Sequence, residues 1–103
     1  MANLFKNYTA SCTDATETTV YTVPAATTSV IIGCNLANTT TSQLTADVKV
    51  AGKFLIKGAP IPAGSSLSVL DGKIIGEATD TITVTSSNSS GLVDVIVSVL
   101  EQT

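Results

Sequence analysis

Apolar side chains recur at every second position along most of this chain, and that periodicity constrains the fold more than any other feature. In SVIIGCNLAN, residues 29–38, Val30, Ile32, Cys34 and Leu36 fall on one side, with Ile31 and Ala37 opposite. In SQLTADVKV, residues 42–50, Leu44, Ala46, Val48 and Val50 alternate with Gln43, Thr45, Asp47 and Lys49. TITVTSS, residues 81–87, sets Ile82 and Val84 between threonines, and LVDVIVSVLE, residues 92–101, aligns Val93, Val95, Val97 and Val99. A period of two belongs to strands, whose successive side chains point to opposite faces of a sheet. Little or no helix is predicted.

Turn chemistry divides the strands. Val23-Pro24-Ala25 should end one, because proline has no amide hydrogen for a ladder bond. Residues 37–42 and 86–91 read as polar hairpin loops, and Asp71-Gly72 as a two-residue hairpin turn of the kind that needs positive φ twice. GAPIPAG, residues 58–64, reads as an extended connector crossing between sheets. Seven or eight short strands on this spacing predict an all-β fold, a single antiparallel β-sandwich, immunoglobulin-like or jelly-roll-like. With 103 residues, 1–103 is expected to be one domain.

Charge is scarce. Residues 18–46 carry none, a run of 29, while the whole chain holds 28 serines and threonines. Threonine suits a pleated surface and supplies polarity without charge. Neutral hydroxyls also cost less to desolvate than ions, and charged residues are depleted at the centres of protein interfaces. The run therefore reads either as a surface meeting other subunits or as a solvated threonine-rich sheet.

Several functions are disfavoured. Five lysines, no arginine and a net charge of −3 argue against a nucleic-acid partner. The absence of histidine removes the commonest general base and metal ligand, no G-x-S-x-G elbow occurs, and neither catalytic residues nor a cofactor are predicted. Asp71, Glu77 and Asp80 lack the spacing of an EF-hand calcium loop, so no metal site is assigned. Asp14 and Glu17 read as solvated turn residues. Cys12 and Cys34 read as reduced, buried thiols rather than a disulfide. No apolar run is long enough for a membrane span, and the start MANLFKNYTA lacks a signal-peptide pattern, which predicts a cytoplasmic product. Lys49, Lys53 and Lys57 read as charges that discourage unwanted strand pairing.

The more informative residues are apolar ones off the main apolar rows. Ile96 and Leu100 share a side with Asp94 and Ser98, Ile31 lies opposite its row, and Phe54, Leu55 and Ile56 cannot all point one way. With Leu4 and Phe5 near the N-terminus, the candidate contact residues are Leu4, Phe5, Ile31, Phe54, Ile96 and Leu100. A bulge that shifts the register would account for some of them instead.

The phrases VYTVPAATTSVIIGCNLANTT, APIPAGSSLSVLDGKIIGEATDTITVTSS and VDVIVSVLE together resemble small virion structural proteins of tailed bacteriophages, over about Leu4 to Glu101. The resemblance rests on structural signatures: a threonine-rich strand after a Val-Pro corner, "PAG" before a strand, "DG" at a turn and "TDTITV" near the end. It implies a non-enzymatic virion component, assembled in the host bacterial cytoplasm. The first expectation is a capsid decoration (cement) protein, a homo-oligomer or one present in many repeated copies, bridging neighbouring subunits of the major capsid protein. A neck, tail or baseplate accessory protein is the alternative. A module recognising a host receptor or glycan is a third reading, which the small number of aromatic residues disfavours.

Overall fold

The computed structural model describes residues 3–12, 16–69, 73–87 and 93–103. They form nine strands and, among the described residues, no helix. In chain order these are β1 (Asn3–Cys12), β2 (Thr18–Thr22), β3 (Thr28–Asn38), β4 (Leu44–Val50), β5 (Lys53–Ile61), β6 (Ser66–Ser68), β7 (Ile74–Gly76), β8 (Thr81–Ser86) and β9 (Val93–Gln102). One sheet, here sheet A, runs β1-β9-β3-β6, with β7 also on β3. The other, sheet B, runs β2-β8-β4-β5. Every pairing is antiparallel. The expected β-sandwich is what the chain forms.

β6 and β7 lie end to end along one edge of β3, facing residues 35–37 and 29–31 respectively. Counted as one interrupted strand, they bring each sheet to four strands, and the order is that of a jelly roll. Apart from β4–β5 and β6–β7, every connection passes from one sheet to the other. Several turn readings are corrected by this topology. The segment after β3 is a crossing between sheets rather than a hairpin. It is organised by the buried Asn38 side chain, which donates to the carbonyls of Ser42 (2.8 Å) and Ile61 (2.9 Å) and accepts from the Thr40 amide (2.9 Å). The β8–β9 connection also changes sheets, and its residues 88–91 lie outside the described residues, as does Asp71-Gly72. SLS and IIG pair with β3 and not with each other. Residues 58–61 belong to β5, and only the short segment after them crosses. The tight hairpin is instead at Ala51-Gly52, where φ values of 53° and 79° bring Val50 opposite Lys53, as a type I′ turn requires.

One hydrophobic core fills the space between the sheets. Val93, Val95, Val97 and Val99 of β9, Val48 of β4, and Ile82 and Val84 of β8 are all buried in it, as alternation predicts. Each valine taken fully out of water contributes about 1.5 kcal/mol or more. Cys12 and Cys34 are separate buried thiols in the same cluster.

Strand β3 departs from simple alternation. A register shift against β9 falls between Ile31 and Gly33. Before it the inward residues are Ser29 and Ile31, and after it Cys34, Leu36 and Asn38. Ile31, expected as an outward contact, is therefore core at 2% exposure, while Ile32 is 41% exposed. Val30 moves to the outer face with it. A bulge reverses the facing of every residue before it, and a strict period of two cannot anticipate that.

Candidate functional site

The outer face of sheet A carries a row of apolar residues that crosses every strand at one end. Phe5 of β1 is opposite Leu100 of β9, Leu100 is opposite Val30 of β3, and Val30 is opposite Ile75 of β7. Phe5 and Ile75, at the ends of the row, are 72% and 57% exposed. Ile32 adjoins the row through the β3 bulge. Beside it is a shallow hollow of about 250 Å³ lined by Phe5, Lys6, Asn7, Ile32, Ser98 and Val99. The rows that follow along the sheet are neutral: Asn7 with Ser98, then Thr9, Ile96, Asn35 and Ser68. Asp94 comes next, and its carboxylate accepts a 2.7 Å hydrogen bond from Ser11. Large apolar side chains surrounded by neutral hydroxyl and amide groups form a face that sheds water at small polar cost.

Behind this row, on the inner side of the same strands, lies a polar cluster. Glu101, next to Leu100, is 5% exposed. Its Oε2 accepts hydrogen bonds from Tyr8 (2.8 Å) and Tyr21 (2.7 Å), and Lys6 Nζ stands 3.4 Å from Oε1. Ser29 Oγ lies 3.1 Å from the Tyr21 hydroxyl, and the two tyrosine rings pack with centroids 4.3 Å apart. The cluster thus ties β1, β2, β3 and β9 together at the level of Phe5 and Leu100.

Its electrostatics follow from this geometry. Burial alone would raise the Glu101 pKa, but the hydrogen bonds from Tyr21, Tyr8 and Lys6, with the lysine charge, outweigh burial and hold it below the ordinary carboxylate value. Burial, reinforced by the adjacent carboxylate, pushes Tyr21 up to about 12. Lys6 is raised by its hydrogen bond and charge interaction with Glu101. The carboxylate is therefore ionised and the phenols neutral across the physiological range. Its oxygens are engaged by Tyr8, Tyr21 and Lys6, so the cluster locks the strands that carry them to β9.

The predicted contact residues are only partly brought together. Phe5 and Leu100 are directly paired, and Ile96 is on the same face farther along β9. Leu4 is half-exposed but on the opposite side of β1 from Phe5. Phe54 is on the outer face of sheet B, where Lys49 Nζ and Lys57 Nζ stand 4.9 and 5.0 Å from its ring centroid. Ile31 is interior. Val30 and Ile75 were missed, Val30 because the bulge reversed its facing and Ile75 because its strand is only three residues long. The Tyr8–Tyr21–Glu101 cluster was missed as well, since its members are far apart in sequence and only pairing brings them together.

Other candidate chemistry is accounted for by local structure. Asp80 Oδ2 accepts the Glu77 amide hydrogen at 3.0 Å, which makes it a turn-forming residue. Glu17 pairs with Lys49 at 3.4 Å. Burial pushes the Cys34 thiol up to about 11, well away from a reactive thiolate. Among the described residues no three His, Cys, Asp or Glu side chains are grouped to hold a metal. Asp14 and Asp71 lie outside the described residues. No protein-family model matches the chain, and a search of curated proteins finds no significant match.

Proposed function

We propose that this chain is a non-enzymatic structural subunit of a tailed-bacteriophage virion, a capsid decoration protein that docks through the outer face of sheet A. The observation that carries the reading is the Phe5–Leu100–Val30–Ile75 row, four apolar residues in cross-strand register on a face whose neighbouring rows are uncharged. A jelly roll is also a fold used by capsid domains, which supports the reading only as a fold-level analogy. The sequence resemblance to virion proteins supports it independently. Its partner on the particle is the major capsid protein, and many weak copies on a repeating lattice give firm attachment without a tight single contact.

The test is co-sedimentation of the purified protein with separated capsids and tails of the phage that encodes it. Saturable binding to capsids, weakened at least tenfold by Leu100→Lys, is expected. Binding only to tails or neck complexes would replace decoration with a tail or neck role. Binding to neither would overturn the virion reading.

A further inference from the structure

Two four-stranded sheets leave four outer edges, and three of them are blunted against pairing. β6 and β7 are three residues each. β2 is five residues long, has a register shift between Thr19 and Tyr21, and runs into Pro24. β5 carries Lys53, Lys57, Pro60 and a positive-φ Gly58, with two register shifts against β4. Lysine, proline, bulges and shortness are the standard means of keeping an edge from recruiting another strand.

β1 has almost none of these. It is ten residues long, NLFKNYTASC, without proline or glycine and with Lys6 as its one charge. Its register with β9 is unbroken from Asn3↔Gln102 to Cys12↔Val93. Over residues 3–11, among the described residues, this strand pairs on one side only, with β9. Residues 3–7, 9 and 11 are exposed, so the edge is open to solvent along most of its length.

We propose that this edge pairs antiparallel with β1 of a second copy of the same chain, joining two A sheets into one continuous sheet about a two-fold axis. The sequence of β1 is self-complementary in that arrangement. A two-fold perpendicular to the sheet sets residues of the same facing opposite each other. Centred on Asn7, it sets Phe5 opposite Thr9 of the second copy and Lys6 opposite Tyr8, so the two lysines do not meet. The outer apolar row then continues across the seam, from Ile75, Val30, Leu100 and Phe5 of one copy to Thr9 and Ile96 of the other. Phe5, the most exposed large apolar residue described, is covered from its open side. Nine residue pairs at about 3.4 Å each make a seam about 30 Å long. A single-edge seam of this size lies at the small end of specific interfaces, so the dimer is concentration-dependent.

Sedimentation equilibrium of the purified protein from micromolar to near-millimolar concentration tests this without any phage component. A monomer–dimer equilibrium is expected, with hydrogen exchange of β1 amides slowing as the dimer forms. Asn7→Lys, which sets two ammonium groups facing each other at the axis, should raise the dissociation constant at least tenfold, and Thr9→Lys should also weaken the dimer. Ile75→Lys, on the same face but at the opposite edge, should leave dimerisation intact while weakening particle binding. A wild-type protein that stays monomeric throughout overturns the proposal, and so does a dimer unaffected by both β1 lysines in folded variants. Neither result bears on whether the face binds capsids.

Discussion

Each outer face of the sandwich carries a row of four residues crossing all its strands, and the two rows differ in kind. On sheet A the row is Phe5, Leu100, Val30 and Ile75. On sheet B it is Thr19, Thr83, Lys49 and Phe54. The sheet B aromatic is flanked by Lys49 and Lys57, and Lys49 also meets Glu17. Nearby, Asp47 accepts the Gly58 amide hydrogen at 2.6 Å. A partner covering sheet B would have to desolvate two ammonium groups and at least one carboxylate, whereas a partner covering sheet A meets hydroxyls, amides and hydrocarbon, with the Asp94 carboxylate apart from the apolar row. The outer face of sheet B thus carries Asp47, Lys49 and Lys57 around its aromatic, while the apolar row of sheet A has no charged residue among its four.

The largest effect should come from removing the lock behind sheet A. Glu101→Leu strands two tyrosine hydroxyls and an ammonium without their acceptor and should cost about 2–4 kcal/mol by chemical denaturation. No loss would mean the cluster does not hold β1. Next, Leu100→Lys should weaken particle binding by roughly tenfold to a hundredfold. Lys49→Glu on the opposite face should leave binding unchanged, and equal losses from the two would erase the distinction between the faces.

The same lock sets a pH signature, read as Tm against pH. The folded Glu101 pKa lies below the reference 4.5, so its contribution is present above that pH and is lost as pH falls through the depressed value. Tyr21 titrates at about 12 in the fold against 10.0 unfolded. Its contribution is therefore present below 10 and lost as pH rises toward 12. Glu101→Gln should flatten the acid limb and Tyr21→Phe the alkaline one, and unchanged limbs would locate the titration elsewhere. At the sheet B hairpin, Ala51→Asn should add about 0.5–1 kcal/mol, because asparagine tolerates the positive φ better than alanine. Smallest of all, Lys49→Ala should change stability by less than about 0.5 kcal/mol, as expected for a solvent-screened ion pair.

Much of this was legible in the sequence where alternation is regular. β4, β8 and β9 turn toward the core the residues their period assigns, with Val50 only partly buried, and Ile96 and Leu100 point outward as read. Alternation reports which way a side chain faces along one strand, but not which strand lies beside it. The β3–β4 crossing was therefore mistaken for a hairpin, and the Ala51-Gly52 turn was overlooked beside a more familiar Asp-Gly pair. The bulge at Ile31–Gly33 exchanged the facings of Val30, Ile31 and Ile32, and so hid Val30, the β3 member of the apolar row. Nothing in the sequence around Glu101 marks it as a buried, multiply hydrogen-bonded carboxylate. Its partners Tyr8 and Tyr21 are 93 and 80 positions away, and no local pattern links them.

The place of β9 in the middle of sheet A has a consequence for how the chain is made. Residues 93–102 lie between β1 and β3, so β1 has no partner strand, and β3 has only β6 and β7, until β9 has been synthesised. At roughly 5–20 residues per second, β1 waits about 5 to 20 seconds for the strand that completes it. During that interval Phe5 has no Leu100 beside it, and the apolar row of sheet A is incomplete. A chain cut short before β9 would lack the strand that joins β1 to β3, and with it the Leu100 position of the apolar row.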